Sequence, residues 1–272
     1  MKRTDIKVCV VRAGGTNCDA ETKRSIEDLG AKASVVHVNA LARKQPLQEY
    51  DALVFPGGFS YGDYVRAGAI LAKGFLAKLG KDLKAFVNKE KPILGICNGF
   101  QILVEAGLLP GFNGMSQYPA AALATNFPIG FRCRWTDIKH ENRGRCVLTG
   151  KIPKGKVVKM PIAHSEGRFI FPKEKEQDYL QKLIDNDQLV FRYCDETGQY
   201  AEGEYPANPN GSFYDIAGIS NPSGTVFGLM PHPERACYGW QLPDWTTTGQ
   251  PPTHGDGKLI FESMIDYVTR RF

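Results

Sequence analysis

Across the first 107 residues, short and almost wholly apolar runs alternate with segments of helical spacing, with glycines at many of the joints. Ile6–Val11, Ala33–Val38, Asp51–Phe55 and Pro92–Ile96 are the apolar runs. A strand that is apolar at nearly every position has no solvent face. Such strands belong in a parallel sheet covered by helices on both sides. The intervening helices are expected over Cys18–Leu29, stopped by Gly30, over Ala67–Val87, and over Phe100–Ala106, ended by Gly107. In the long middle segment Ile70, Leu71, Phe75, Leu76, Leu79, Leu83 and Phe86 recur at helical spacing, and Gly74 and Gly80 are expected to divide it into two helices.

The second half reads differently. Phe131–Trp135, Val157–Met160, Leu189–Tyr193, Ile216–Ile219 and Val226–Met230 are strand-like with few helices between them, so a β-rich part is added to the α/β core. Residues 236–257 are rich in Gly, Pro, Thr and Trp and read as a long loop before a last amphipathic helix over Leu259–Arg271. No repeat, low-complexity tract or linker divides the chain, so residues 1–272 are expected to form one domain.

Composition narrows the classes. The net charge of +5, from 34 basic and 29 acidic residues, is small and evenly interleaved, and gives no case for nucleic-acid binding. No apolar run approaches the ~18 residues of a membrane span, and the N-terminus lacks the apolar core of a signal peptide. The seven cysteines are scattered and form no C-x-x-C pair, so neither a disulfide framework nor a metal site is expected, and the cytoplasm is the expected compartment.

One of those cysteines stands out. Gly95-Ile96-Cys97-Asn98-Gly99 joins a buried strand to a helix, with a glycine two residues either side of the thiol. This is the nucleophile-elbow pattern, in which the tight turn exposes the side chain at the carboxyl edge of the sheet. A helix beginning at Asn98 favours thiolate, and the Asn98 amide points where an oxyanion would develop. An inert core cysteine between two convenient glycines explains the pentapeptide equally well. Pro56-Gly57-Gly58 also follows an apolar strand, on the same edge, and can aim a second amide outward. Its glycines are expected to leave that turn free to rotate.

A thiol nucleophile needs an imidazole. His37 falls in a strand pattern, His140 in a charged loop and His254 in the Gly-rich loop, all places for unremarkable histidines. His164-Ser165-Glu166 and His232-Pro233-Glu234 each carry a carboxylate two residues on, on the same side of an extended chain. The prolines around His232 lean toward that pair without deciding the matter.

Together these residues resemble a known family. Pro92-Ile-Leu-Gly-Ile-Cys97-Asn-Gly-Phe-Gln101 with Pro231-His232-Pro-Glu234 is similar to the class I (triad) glutamine amidotransferases. Phe55–Gly68, His164–Phe169 and Asn208–Ser212 narrow the likeness to the glutaminase subunits of phosphoribosylformylglycinamidine synthases, over nearly the whole chain. The resemblance implies a flavodoxin-like three-layer sandwich with a mainly parallel central sheet. It implies Cys97 as nucleophile, His232 as base, Glu234 as its orienter, and Gly57, Gly58 and Asn98 around the oxyanion. Gln101, His164 and Glu166 would serve glutamine binding. No cofactor is implied in this chain. ATP and magnesium would belong to a synthetase subunit that receives the ammonia, with a third small subunit as a further partner. The chain departs from the family pattern at Arg12-Ala-Gly-Gly-Thr-Asn-Cys-Asp19, where a proline is usual, and in the length of the 236–257 loop. A non-catalytic binding or regulatory protein of the same fold, and a related thiol amidohydrolase, are the rival expectations.

Overall fold

The computed structural model describes residues 1–44 and 46–272. In chain order its first half comprises β1 (Lys7–Arg12), α1 (Asp19–Glu27), β2 (Lys32–His37), α2 (Val38–Leu41), β3 (Ala52–Phe55), α3 (Ala69–Asn88), β4 (Ile93–Ile96) and α4 (Asn98–Glu105). Then come β5 (Ala122–Ala124), β6 (Arg132–His140), β7 (Val157–His164), β8 (Arg168–Ile170), α5 (Glu176–Asp185), β9 (Leu189–Cys194), β10 (Ile216–Ser220), β11 (Val226–Leu229) and α6 (Lys258–Arg271).

β3, β4 and β11 are buried at every position, and each pairs in parallel with its neighbour, as solvent-free apolar runs require. One sheet runs in the order β2-β1-β3-β4-β11-β10-β9-β6-β7. The first five strands are parallel and take the 2-1-3-4-5 order of flavodoxin-like folds. Because β1→β2 and β3→β4 step in opposite directions, right-handed crossovers place α1 and α3 on opposite faces. Accordingly α1 packs against α6, and α3 against α4, which makes three layers. β10, β9, β6 and β7 extend the same sheet in antiparallel fashion, and only β5 and β8 pair apart from it.

Three expectations are corrected here. The segment around Gly74 and Gly80 is one continuous α3. A side chain at Gly74 would meet nothing, and one at Gly80 only the tip of Leu76 at 4.0 Å, so both glycines face open space. Their propensity penalty of about 1 kcal/mol each is outweighed by the opposite face, where Leu71, Phe75, Leu79, Leu83 and Phe86 are buried. A helix, α5, occupies Glu176–Asp185, where few helices were expected; only Leu180 and Leu183 of it are buried, which leaves a faint apolar stripe. His140 closes β6 instead of lying in a charged loop, and is buried with Nε2 3.0 Å from Thr149 Oγ1. Within 236–257 the chain forms the short turns Gly239–Gln241 and Trp245–Thr248, with Tyr238 stacked on Trp240.

The β1–β3 boundary, where the strand order reverses, puts the loops after β1 and β3 side by side at the carboxyl edge. Ligands of such sheets bind there.

Candidate active site

Cys97 is the residue between β4 and α4, held at φ +51° and ψ −104°. A non-glycine residue at positive φ is strained by on the order of 1–3 kcal/mol and persists only where its surroundings impose it. Here the Cys97 amide donates to Leu229 O of β11 at 2.8 Å, and its carbonyl accepts the Gln101 amide at 3.1 Å. The flanking glycines are steric necessities. A Cβ on Gly99 would lie 1.9 Å from Phe55 O, and one on Gly95 2.7 Å from Gly99 O. Without them α4 could not start directly over β3 and β4.

His232 follows β11 and is anchored by its amide to Pro161 O of β7 at 2.8 Å. Its Nδ1 lies 2.6 Å from Glu234 Oε1, while Nε2 has no hydrogen-bond partner. The imidazole is 2% exposed and Glu234 is fully buried. Burial alone would disfavour the imidazolium, but the Glu234 carboxylate and the Cys97 sulfur outweigh it and hold His232 well above the usual histidine range.

The competing pair is not brought together. His164 points Nδ1 at Asn126 Oδ1, 3.2 Å away, whereas Glu166 Oε2 accepts the Ala67 amide at 3.0 Å. Burial first, then the charges of His232 and Arg132, lowers His164 to about 3, so it remains a neutral imidazole. Its ring lies flat on Gly167, where a Cβ would approach within 2.2 Å. Gln101, one turn into α4, donates from Nε2 to Glu166 O at 2.5 Å and accepts from Asn98 Nδ2 at 3.0 Å. Cys97, Gly58, Gln101, His164, Glu166 and His232 thus line one cleft of ≈ 640 Å³.

The Gly57-Gly58 turn is hydrogen-bonded to the loop after β1. Gly57 O accepts the amides of Asn17 at 3.4 Å and Cys18 at 3.3 Å, and the Phe59 and Tyr61 amides donate to Gly15 O and Gly14 O. A Cβ on Gly58 would sit 2.6 Å from Gly15 O, and one on Gly57 2.6 Å from His232 Cε1. The loop after β1 therefore fixes the loop after β3, and the two lie against the imidazole.

Cys18, Asp63 and Arg235 are polar or titratable residues of this cleft that sequence reasoning missed. Cys18 was findable, since it follows β1 on the edge where the two glycine turns were placed. Asp63 is pushed up to about 6 by burial and by the charge of Glu166. Cys18, His232 and Glu234 bring possible ligand atoms within 4.8 Å of one another. The Arg235 guanidinium, 3.0 Å from Cys18 Sγ, already supplies the positive charge there, so the cluster is better suited to hydrogen bonding than to a metal ion.

A 2-1-3-4-5 sheet with a thiol on a strained strand-to-helix turn and a buried His–Glu pair beside it defines a class I glutamine amidotransferase. The chain belongs to the CobB/CobQ-like glutamine amidotransferase domain family, whose model matches residues 5–268, and within it to the PurQ proteins. It is 48% identical to phosphoribosylformylglycinamidine synthase subunit PurQ of Archaeoglobus fulgidus, over 99% of this chain and 100% of that one. It is 41% identical to the subunit of the same name from Methanothrix thermoacetophila, over 98% and 99%. Among solved structures, a chain of PurLQS from Thermotoga maritima is similar with a TM-score of 0.70 and 34% identity, over 97% of this chain and 99% of that one.

Proposed function

We propose that this chain is the glutaminase subunit of a phosphoribosylformylglycinamidine synthase, acting through a triad of Cys97, His232 and Glu234. The thiolate of Cys97 attacks the side-chain carboxamide carbon of glutamine, and the oxygen becomes an oxyanion facing the amides of Asn98 and of the Gly57-Gly58 turn. His232, its imidazolium stabilised by Glu234, donates its proton to the departing nitrogen, and ammonia leaves. A thioester remains on Cys97. Water then adds with His232 as base, and glutamate and the free thiol are released. Gln101, His164 and Glu166 bind glutamine along the cleft, with His164 as a neutral hydrogen-bonding group.

The observation that carries this reading is the pairing itself. Of the two His–Glu spacings in the sequence, only His232 and Glu234 are in contact, with the unpartnered Nε2 in the same cleft as Cys97. Ammonia passes to a synthetase subunit, which uses ATP and magnesium to form formylglycinamidine ribonucleotide, with a third small subunit in the assembly. The likeness to a chain of PurLQS supports that arrangement. So does the lack of any G-x-x-x-x-G-K-[ST] phosphate loop in the sequence. The cytoplasm is the proposed compartment; the seven free thiols fit it, and no described helix is long and apolar enough to cross a membrane.

The test is Cys97→Ala in the assembled synthase. Glutamine-dependent product formation should vanish while added ammonia still supports it. Glutaminase turnover near wild type would remove Cys97 as nucleophile.

A further inference from the structure

A second thiol lies on the far side of the proposed base. Cys18, the residue before α1, is buried with Sγ 3.9 Å from His232 Nδ1, the nitrogen that also faces Glu234. Arg235 donates from a terminal guanidinium nitrogen to Cys18 Sγ at 3.0 Å, and its Nε is 3.9 Å from both Glu234 Oε1 and Glu21 Oε1. The Cys18 amide also holds Gly57 O, so one residue touches both the imidazole and the oxyanion turn.

Resting on the triad proposed above, we infer that Cys18, gripped by Arg235, is a positioning residue for His232. Its sulfur fixes the Nδ1 edge of the imidazole toward Glu234 and stabilises the imidazolium. Three features support this role. The sulfur sits between two cationic groups, and its lone pairs offset the repulsion between the Arg235 guanidinium and the imidazolium. The space is filled, because a Cβ on Gly57 would already be 3.1 Å from the sulfur and 2.6 Å from the ring. Water therefore has no room to reach Nδ1 from the Gly57 side. Finally, Arg235 follows Glu234 directly and reaches back to α1, so the grip spans two elements that otherwise share few polar contacts with the triad. The charged and titratable groups facing His232 are Glu234 and Arg235 from its own segment, Cys97 from the start of α4, Cys18 from the start of α1, and His164 from β7.

The experiment uses Cys18→Ala, Cys18→Ser, Arg235→Met and the Ala/Met double variant in the assembled synthase, with Cys97→Ala as control. Glutamate formation is followed against pH and glutamine. Cys18→Ala should lower kcat about tenfold with KM unchanged. The alkaline limb of kcat/KM should move to lower pH, because the imidazolium loses a stabilising neighbour. Cys18→Ser, which keeps an acceptor, should recover most of both. The double variant should be no worse than the more damaging single one, since the two residues act as a unit. A wild-type pH profile in Cys18→Ala, or multiplicative losses in the double variant, would overturn the inference, as would a kcat loss that tracks melting temperature and leaves the pH limbs in place. An active Cys97→Ala control would instead overturn the triad, so the two failures are separable.

Discussion

At the scale of single residues, the elbow around Cys97 was legible as a turn, whereas local pattern only leaned toward His232 over His164 as the proposed base. Gly95-Ile96-Cys97-Asn98-Gly99 advertises an elbow because the constraint is local: Gly99 lets α4 lie against Phe55, and Gly95 lets the first turn of α4 and Leu103 pack over β4. His164 and His232 looked alike because each has a glutamate at i+2. What separates them is tertiary, since Asn126 captures His164 and the Ala67 amide captures Glu166. Glu234→Gln keeps the shape of the 2.6 Å contact but removes the charge that supports the imidazolium. By analogy with the serine triad, turnover should fall by roughly 10³–10⁴-fold. Glu166→Gln should leave turnover within about tenfold and act mainly on KM for glutamine, since its carboxylate faces the cleft and no catalytic nitrogen. Steady-state assays of the two variants side by side decide the matter, and a larger turnover loss in Glu166→Gln would reverse the choice of pair.

At the scale of elements, Gly74 of α3 and Gly99 at the start of α4 have opposite meanings that composition cannot distinguish. Gly74 lies on the open face of α3, so Gly74→Ala adds helix propensity without a clash. It should stabilise the protein by about 0.5–1 kcal/mol and raise the melting temperature by about 1–3 °C. Gly99→Ala, by contrast, would drive a Cβ to 1.9 Å from the Phe55 carbonyl, which sits on a strand and cannot yield. That variant should lose several kcal/mol, by analogy with overpacked cores, and accumulate poorly or melt far below wild type. Thermal unfolding of both variants tests the pair of statements. The expected break at Gly74 and Gly80 failed because glycine punctuates a helix only where packing does not hold it. The missed α5 is the converse, since a helix with two buried leucines leaves little periodic signal among its charges.

At the scale of the whole molecule, the parallel half was readable because its inner strands β3, β4 and β11 are buried on both faces, whereas the antiparallel half was only half readable. Its strands were recognisable, but their order β11-β10-β9-β6-β7 is set by long-range pairing that no local pattern encodes. That pairing matters for the site, because it carries β7 around so that Pro161 anchors His232 and His164 closes the cleft. It also creates an acid liability. His164 is 4% exposed and, lowered to about 3, stays neutral in the folded chain, while the unfolded chain protonates it near 6.5. A histidine with a depressed folded value supports the fold fully above pH 6.5 and progressively less as pH falls toward 3. Between pH 6.5 and 5 the loss is about 2 kcal/mol, from 1.36 kcal/mol per unit of difference. His232 has the opposite sign, raised above its unfolded value, and contributes nothing to this acid limb. Melting temperature should therefore drop below pH 6.5, and His164→Asn, which has no proton to gain, should flatten that limb while lowering stability at pH 7.5. Equal slopes for wild type and His164→Asn between pH 6.5 and 5 would show that the acid sensitivity resides elsewhere, with the buried His140 the next group to replace.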